Sequence, residues 1–245
     1  LALRKQFETD GVAFCFDSIL LIRRDVMPEY KSSRAAIKDG LDREERREDK
    51  GVRRQIRRLR MELLPAVGFR NIFRSVGYEA DDLIAAVCLN LKNEDEAVVV
   101  STDADLWQLL TPKVTIWNPS TKRVIDEVWL RKNRGIAPSQ WPNVKALAGC
   151  PSDDVPGVGG VGELTACKWL GGQVKEGSFA DRRIRDNESV WKRNLCLVKL
   201  PWEGTPVPEL VDDELDVPAW NRLVLSLGMK SLELHKPRES QERLF

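Results

Sequence analysis

The stretch from Gly77 to Leu110 limits what this chain can fold into more than any other. It carries two clusters of acids, Glu79-Ala80-Asp81-Asp82 and Asp103-Ala104-Asp105. Between them, the apolar run from Leu83 to Leu89 reads as a buried helix, and Ala97-Val98-Val99-Val100-Ser101 reads as a buried strand. A strand running into Asp103 and Asp105 delivers carboxylates at its C-terminal end, the edge where open α/β sheets place their sites. If the backbone stays extended there, Asp103 and Asp105 share one side, because side chains alternate along a strand. Glu79, Asp81 and Asp82 stand where a loop enters a helix and can face the same edge. Taken singly, each cluster is more simply an N-cap that complements a helix dipole. Taken together, the acids repel one another unless cations neutralise them. A ligand set made only of oxygen favours hard divalent ions, Mg²⁺ or Mn²⁺.

The surrounding segments point to the same class of fold. Val12 to Phe16 reads as a buried strand that ends at Asp17-Ser18, which puts a further acid on the same edge if the strands are parallel. Asn71 to Val76 is a short strand leading into Gly77, Val114 to Trp117 is another, and Val124 to Val128 returns after a turn at Asn118 to Lys122. Alternation of strand and helix as far as Trp117 predicts an α/β fold with a parallel, doubly wound sheet. Near Pro138 the periodicity changes to short helices, so a boundary is expected between an α/β domain over 1–138 and a helical region over 139–245.

At 245 residues the chain can hold one large or two modest domains. Its formal net charge of +1 hides a local segregation: acids crowd the first part of Asp42 to Arg60 and arginines the second. Arg53, Arg57 and Arg60 repeat at helical spacing, as do Arg54 and Arg58, while Ile56, Leu59 and Leu63 form an apolar stripe. A solvated helix face is the plain reading of such a run. Phosphate binding is the sharper one, because dense positive charge is unfavourable without anions nearby. The five cysteines show no metal spacing, the single histidine (His235) sits in a polar tail, and no run is long and apolar enough for a membrane span. A reduced, cytoplasmic protein without histidine catalysis is the expectation. The eight tryptophans are scattered and read as packing residues.

The helical region opens with Val144 to Gly149 and continues through Cys150-Pro151-Ser152-Asp153-Asp154 to Gly157-Val158-Gly159-Gly160-Val161-Gly162-Glu163. Glycines with valines between them suit a tight hairpin joining two helices. Its exposed amides and the next helix N-terminus suit a phosphate. A helix C-cap followed by a loop would look much the same.

With these motifs in order, the chain resembles the 5′-nuclease family of flap endonucleases and the 5′–3′ exonuclease domain of bacterial DNA polymerase I, phage and bacterial members most of all. The carriers are Phe16-Asp17-Ser18, Tyr30-Lys31-Ser32-Ser33-Arg34, Gly77 to Asp82, Ser101 to Leu106, and Gly149 to Ala166. The resemblance implies a PIN-like α/β nuclease domain with a helical arch over 1–138, then a smaller helix-hairpin-helix region that grips duplex DNA over 139–245. It implies that Asp17, Glu79, Asp81, Asp82, Asp103, Asp105 and Asp153 bind metal, and that Lys31 and Arg34 meet the scissile phosphate. Arg53, Arg54, Arg57 and Arg58 of the basic run are the expected DNA contacts, and the resemblance implies that the hairpin at Gly157, Gly159 and Gly162 contacts duplex backbone, with a K⁺ ion on its carbonyls. The activity implied is hydrolysis of DNA at 5′ ends, flaps and junctions, by a monomer working beside a DNA polymerase. Two divalent ions about 3.5–4 Å apart would activate water and stabilise the leaving oxygen.

This sequence departs from the family in three places. The family's first strand, with its own aspartate, is expected upstream of Leu1. Cys150 stands where the family has an aspartate, and Glu163-Leu164 replaces a Pro-Lys pair. The alternative these departures motivate is a catalytically impaired protein of the same fold that binds DNA junctions. A PIN-type ribonuclease explains the acids but not the arch and hairpin together. An aspartyl-phosphate phosphatase explains only Asp103-Ala104-Asp105.

Overall fold

The computed structural model describes residues 2–9 and 11–234, so His235 and the tail beyond it lie outside the described residues. Helix α1 (Ala2–Gln6) precedes strand β1 (Phe14–Cys15), α2 (Arg23–Val26), α3 (Ser32–Gly40) and α4 (Arg43–Arg58). A π-helical turn over Leu59–Leu63 joins α4 to α5 (Leu64–Ala66), and β2 (Ile72–Phe73), α6 (Ala80–Leu89) and β3 (Ala97–Val100) follow. A 3-10 helix over Ala104–Leu109 leads to β4 (Val114–Asn118), β5 (Arg123–Ile125), α7 (Glu127–Arg134) and α8 (Trp141–Ala148). The short strands β6 (Gly149–Cys150) and β7 (Val155–Pro156) come before α9 (Glu163–Leu170), α10 (Phe179–Asp186), α11 (Glu188–Val198) and α12 (Val217–Ser226).

The chain divides into two compact units. One comprises Leu1–Phe14, Arg43–Ile72 and Glu209–Phe245; the other comprises Cys15–Asp42 and Phe73–Pro208. Residues on both sides of Pro138 therefore share a unit.

In the larger unit, β3 and β4 run parallel, with Ala97 opposite Val114 and Val100 opposite Trp117. The sheet is mixed, not wholly parallel. β5 adds antiparallel to β4 with Ile116 opposite Ile125, because the few residues at Asn118–Lys122 can make a hairpin but not a crossover. The returning strand also stops earlier than Val128. Asp126 Oδ1 accepts from the Trp129 amide at 2.6 Å and caps α7, which ends at Gly135 with φ of 71°. Parallel pairing continues beside β1, where the Phe16 amide donates to Phe73 O at 2.9 Å and Leu21 bridges Gly77.

The core of this unit is built from Leu83, Ala85, Leu106, Ile116, Leu130, Trp141, Val144 and Leu147, all at or near full burial. Trp107 packs against Trp129 and Trp141 at ring separations of 5.3 and 4.7 Å, so these tryptophans are packing residues. Buried Asn194 donates to Ala146 O and Pro156 O, tying α11 to α8 and β7.

In the smaller unit, Phe14 meets Phe69 edge to face at 5.0 Å. Gly68, at φ +91°, lets its carbonyl accept from the Glu214 amide at 2.8 Å. Helix α4 forms as its charge pattern predicts, with acids in its first turn and arginines in its last. Its expected apolar stripe is not a core face, however: Ile56 and Leu59 are exposed and Leu63 is only half-buried.

Candidate metal centre

The loop after β1 is sewn to the entrance of α6. Asp17 Oδ1 accepts from the Ala80 amide at 2.8 Å, and Ser18 Oγ accepts from the Gly77 amide at 3.1 Å. These bonds carry the acid after β1 to the first turn of α6, beside Asp81. Burial pushes the Asp81 carboxyl up to about 7, with Asp103, Asp17 and Glu79 adding to the rise and Lys31 opposing it. The part of that rise that comes from three like-charged neighbours is what convergence of acids produces. The structure therefore brings Asp17, Glu79, Asp81 and Asp103 together.

Asp103 and Asp105 do not lie on one extended segment. The chain turns into the 3-10 helix at Ala104, and Asp103 Oδ1 caps that turn by accepting from the Asp105 amide at 2.8 Å. Capping and ligation are thus not rivals for Asp103, because a cap occupies only one carboxylate oxygen.

Lys31 and Arg34 reach the same unit's acids through backbone as well as side chain. Lys31, at φ of 54°, donates its amide to Asp153 O at 3.0 Å. Its ammonium pairs with Glu79 and lies 3.5 Å from Asp153 Oδ1. Arg34 Nη2 donates to Asp153 Oδ1 at 2.8 Å while its Nε donates to Ser152 O at 3.1 Å. The Tyr30 hydroxyl sits 2.8 Å from Glu79 Oε2 and 3.3 Å from Asp153 Oδ2. Lys31, Tyr30, Glu79, Asp81, Asp105 and Asp153 line one cleft.

Asp82 departs from the expectation of a metal ligand. Its carboxylate takes two parallel bonds from Arg23, at 2.6 and 2.7 Å, plus the amides of Glu79 at 3.0 Å and Trp202 at 2.8 Å. With two donors on each oxygen and no exposed surface, it has no lone pair free for an ion. Asp82 holds the entrance of α6 in place. Its partner Arg23 is buried too, pairs with Glu79 at 3.1 Å, donates to Leu197 O and lies over the Trp202 ring at 5.0 Å. Sequence reasoning missed Arg23. It had no local signal there, because an arginine in a four-residue helix looks solvated until its partners fold around it.

Asp105 stands apart from the Asp81 group in its partners. Lys145 Nζ lies 3.0 Å from its Oδ1, close enough for an ion pair although the angle falls short of a hydrogen bond. The Cys150 thiol donates to its Oδ2 at 3.8 Å. Burial, with Asp105 next, pushes that thiol up to about 12, so it stays protonated and neutral. Lys145 also bonds Glu163 Oε1 at 2.9 Å, which links α8 to the start of α9. Lys145 was not singled out from the sequence either.

Among the described residues, no three carboxylate, thiol or imidazole groups form a closed metal cage. The donor set nevertheless fits Mg²⁺ at the Asp81 group, because that ion keeps several waters and takes only one or two carboxylates together with substrate phosphates. The fit is poorer at Asp105, where protein groups meet both oxygens.

The hairpin glycines fall into two kinds. A Cβ on Gly157 would meet Ala148 O at 2.2 Å, whereas one on Gly159 or Gly162 would meet nothing within 4 Å. Val158 anchors the turn by donating its amide to Leu147 O at 2.8 Å, and Gly162 precedes the first turn of α9. Arg53, Arg54, Arg57 and Arg58 belong to the other unit and are all exposed. Two of them have acids one turn away, Asp49 for Arg53 at 2.6 Å and Glu62 for Arg58 at 3.6 Å.

A PIN-like α/β unit with carboxylates gathered at a strand end and a helix start defines a nuclease-type fold, and comparison with known proteins agrees. The family described as 5′-3′ exonuclease, N-terminal resolvase-like domain matches residues 1–135. The thermostable DNA polymerase I of Thermus thermophilus is 35% identical over 135 residues, which are 55% of this chain and 16% of the polymerase. A phage T5 5′-exonuclease with divalent zinc ions bound superposes with a TM-score of 0.72 at 24% identity, covering 82% of this chain and 78% of that one. A T5 flap endonuclease in a pseudo-enzyme–product complex with DNA and metal ions gives 0.68 at 25% identity, with the same coverage. This chain belongs to the 5′–3′ exonuclease family. It spans 16% of the length of the polymerase it matches. Among the described residues, no helix is long and apolar enough to cross a membrane.

Proposed function

We propose that this chain is a divalent-metal-dependent, structure-specific 5′ nuclease that hydrolyses DNA phosphodiesters at 5′ ends, flaps and junctions in replication or repair. The observation that carries the reading is the convergence of acids at the start of α6, where Asp17 is tied to the Ala80 amide beside Asp81 and Asp103, in the same unit as the Lys31 and Arg34 that hold Asp153. Asp17, Asp81 and Asp103, with Glu79 behind them, would hold the ion, and Mg²⁺ or Mn²⁺ suits their oxygens. The bound ion supplies Lewis acidity towards the phosphoryl oxygens and the attacking water.

The chain's own residues do the rest. Lys31 and Arg34 neutralise charge that develops on the phosphoryl group, and they need no reorganisation because Glu79 and Asp153 already hold them. Tyr30 fixes the orientation of Glu79, and the Arg23–Asp82 pair fixes the helix start that presents Asp81. The arginines of α4 bind phosphates along the strand. The hairpin at Gly157, Gly159 and Gly162 binds duplex backbone, with K⁺ as its companion ion. The protein acts as a monomer in the cytoplasm of a bacterial or phage-infected cell, beside a DNA polymerase.

A second reading, a junction-binding protein with impaired catalysis, draws on the neutral Cys150 thiol against Asp105. Cleavage of a 5′-labelled flap separates the two. Asp81→Ala and Asp103→Ala should abolish Mg²⁺-dependent cleavage while leaving DNA binding measurable. Full activity of both variants would remove the metal assignment, and an inactive wild-type chain that still binds junctions would favour the second reading.

A further inference from the structure

Charge is distributed unequally between the two ends of the acidic cleft. At one end, Asp153 is paired with Lys31 at 3.5 Å and Arg34 at 2.8 Å, and Asp105 with Lys145 at 3.0 Å. At the other end, no ion pair reaches Asp17, Asp81 or Asp103 among the described residues.

Lys145 is placed by the fold, not by chance. It projects from α8, whose neighbours Val144, Ala146 and Leu147 are buried and lock the helix against the core. Its side chain is only 13% exposed and is held from two sides, by Asp105 at 3.0 Å and by Glu163 at 2.9 Å. The other oxygen of Asp105 faces the Cys150 thiol, which adds no negative charge. A divalent ion arriving at Asp105 would have to displace a largely buried ammonium from one oxygen, and the group at the other oxygen is a thiol. Thiols are poor partners for hard ions. Displacing Lys145 would also leave Glu163 without its partner.

We propose that Lys145 is a built-in cation that closes the Asp105 end of the site to a second divalent ion, so that the chain binds one such ion, at the Asp17–Asp81–Asp103 end. The inference rests on the metal-dependent nuclease reading and narrows it. In this arrangement Lys145 is paired with Asp105, and it joins the acid site to the hairpin helix α9 through Glu163. It acts through Asp105 and is a positioning residue.

Manganese alone is the probe, titrated into the full chain while free Mn²⁺ is read by electron paramagnetic resonance. The wild-type chain should bind one ion. A Lys145→Met/Cys150→Asp double variant should bind a second, and Lys145→Arg, which keeps the charge, should stay at one. Circular dichroism is the check that each variant folds, and Cys150→Asp alone provides a milder change, expected to gain the second ion only weakly. Two ions on the wild-type chain would overturn the inference and leave the nuclease reading standing. A folded double variant that still binds one ion would overturn it as well. No binding by any form would overturn both the inference and the metal reading, which the cleavage assay would show independently.

Discussion

Arg23 and Asp82 meet through two parallel hydrogen bonds of 2.6 and 2.7 Å, with side chains 3% and 0% exposed. The fork geometry of guanidinium on carboxylate makes this pair strong and directional. It lies directly beneath the acids at the start of α6, because Asp82 Oδ2 also accepts from the Glu79 amide at 3.0 Å. The pair therefore acts as a base plate for the site.

Removing Asp82 leaves Arg23 charged and buried with only Glu79 and Leu197 O as polar partners, and breaking such a buried pair costs about 3–5 kcal/mol. Asp82→Ala should lower stability by that order in urea denaturation, and Arg23→Met/Asp82→Leu should cost less than the two single changes added together. If Asp82→Ala unfolds at the wild-type midpoint, the pair does not support the fold.

Much of this was legible in the sequence, and the misses share a cause. The acid clusters, β3, β4 and the run of α6 were readable because periodicity and apolar content are local properties. Arg23 and Lys145 were not, since their roles come from partners 59 and 40 positions away in the chain, Asp82 and Asp105. Asp82 is deceptive for the same reason. Its acid neighbours advertise a metal site, and only the fold reveals the buried arginine. The return strand is shorter than Val124 and Val128 suggest, because Asp126 caps α7 through its bond to the Trp129 amide, a role that local composition does not show.

Metal-free protein should lose stability as pH rises. The Asp81 carboxyl titrates near about 7 in the folded chain against 3.8 in the unfolded one, so the folded state holds an extra proton across that window. Stability falls with pH wherever the folded state binds more protons. Melting temperature in chelator should therefore drop between about pH 4 and about pH 7, and Asp81→Asn should flatten the drop. A rising melting temperature across the window in the wild-type chain would contradict the crowding of these acids.

The exposed arginines of α4 make a salt-dependence prediction. Arg54 and Arg57 have no ion pair among the described residues, and the pairs at Arg53 and Arg58 are surface pairs of little worth. Changing Arg53, Arg54, Arg57 and Arg58 together to Gln should weaken flap binding and flatten the slope of log affinity on log salt, by about 0.7–0.9 for each phosphate no longer neutralised. An unchanged slope would mean that this face is merely solvated.

The hairpin glycines separate packing from binding. Gly157 lies so close to the end of α8 that a methyl group would sit 2.2 Å from Ala148 O and 2.7 Å from the Gly149 amide, both backbone atoms that cannot swing aside. Gly157→Ala should therefore destabilise the protein by about 1–3 kcal/mol, the usual cost of forced overpacking. Gly159 has open space around it, so Gly159→Ala should leave stability within about 0.5 kcal/mol of wild type. The free space matters for a different reason: it is where a phosphate backbone could approach the amides of the turn. A methyl group there should weaken duplex binding several-fold without moving the denaturation midpoint, and the weakening should be absent for a single strand of the same length. Equal weakening of duplex and single-strand binding would place the duplex-gripping surface elsewhere, and unchanged binding of both would leave the hairpin a purely structural turn.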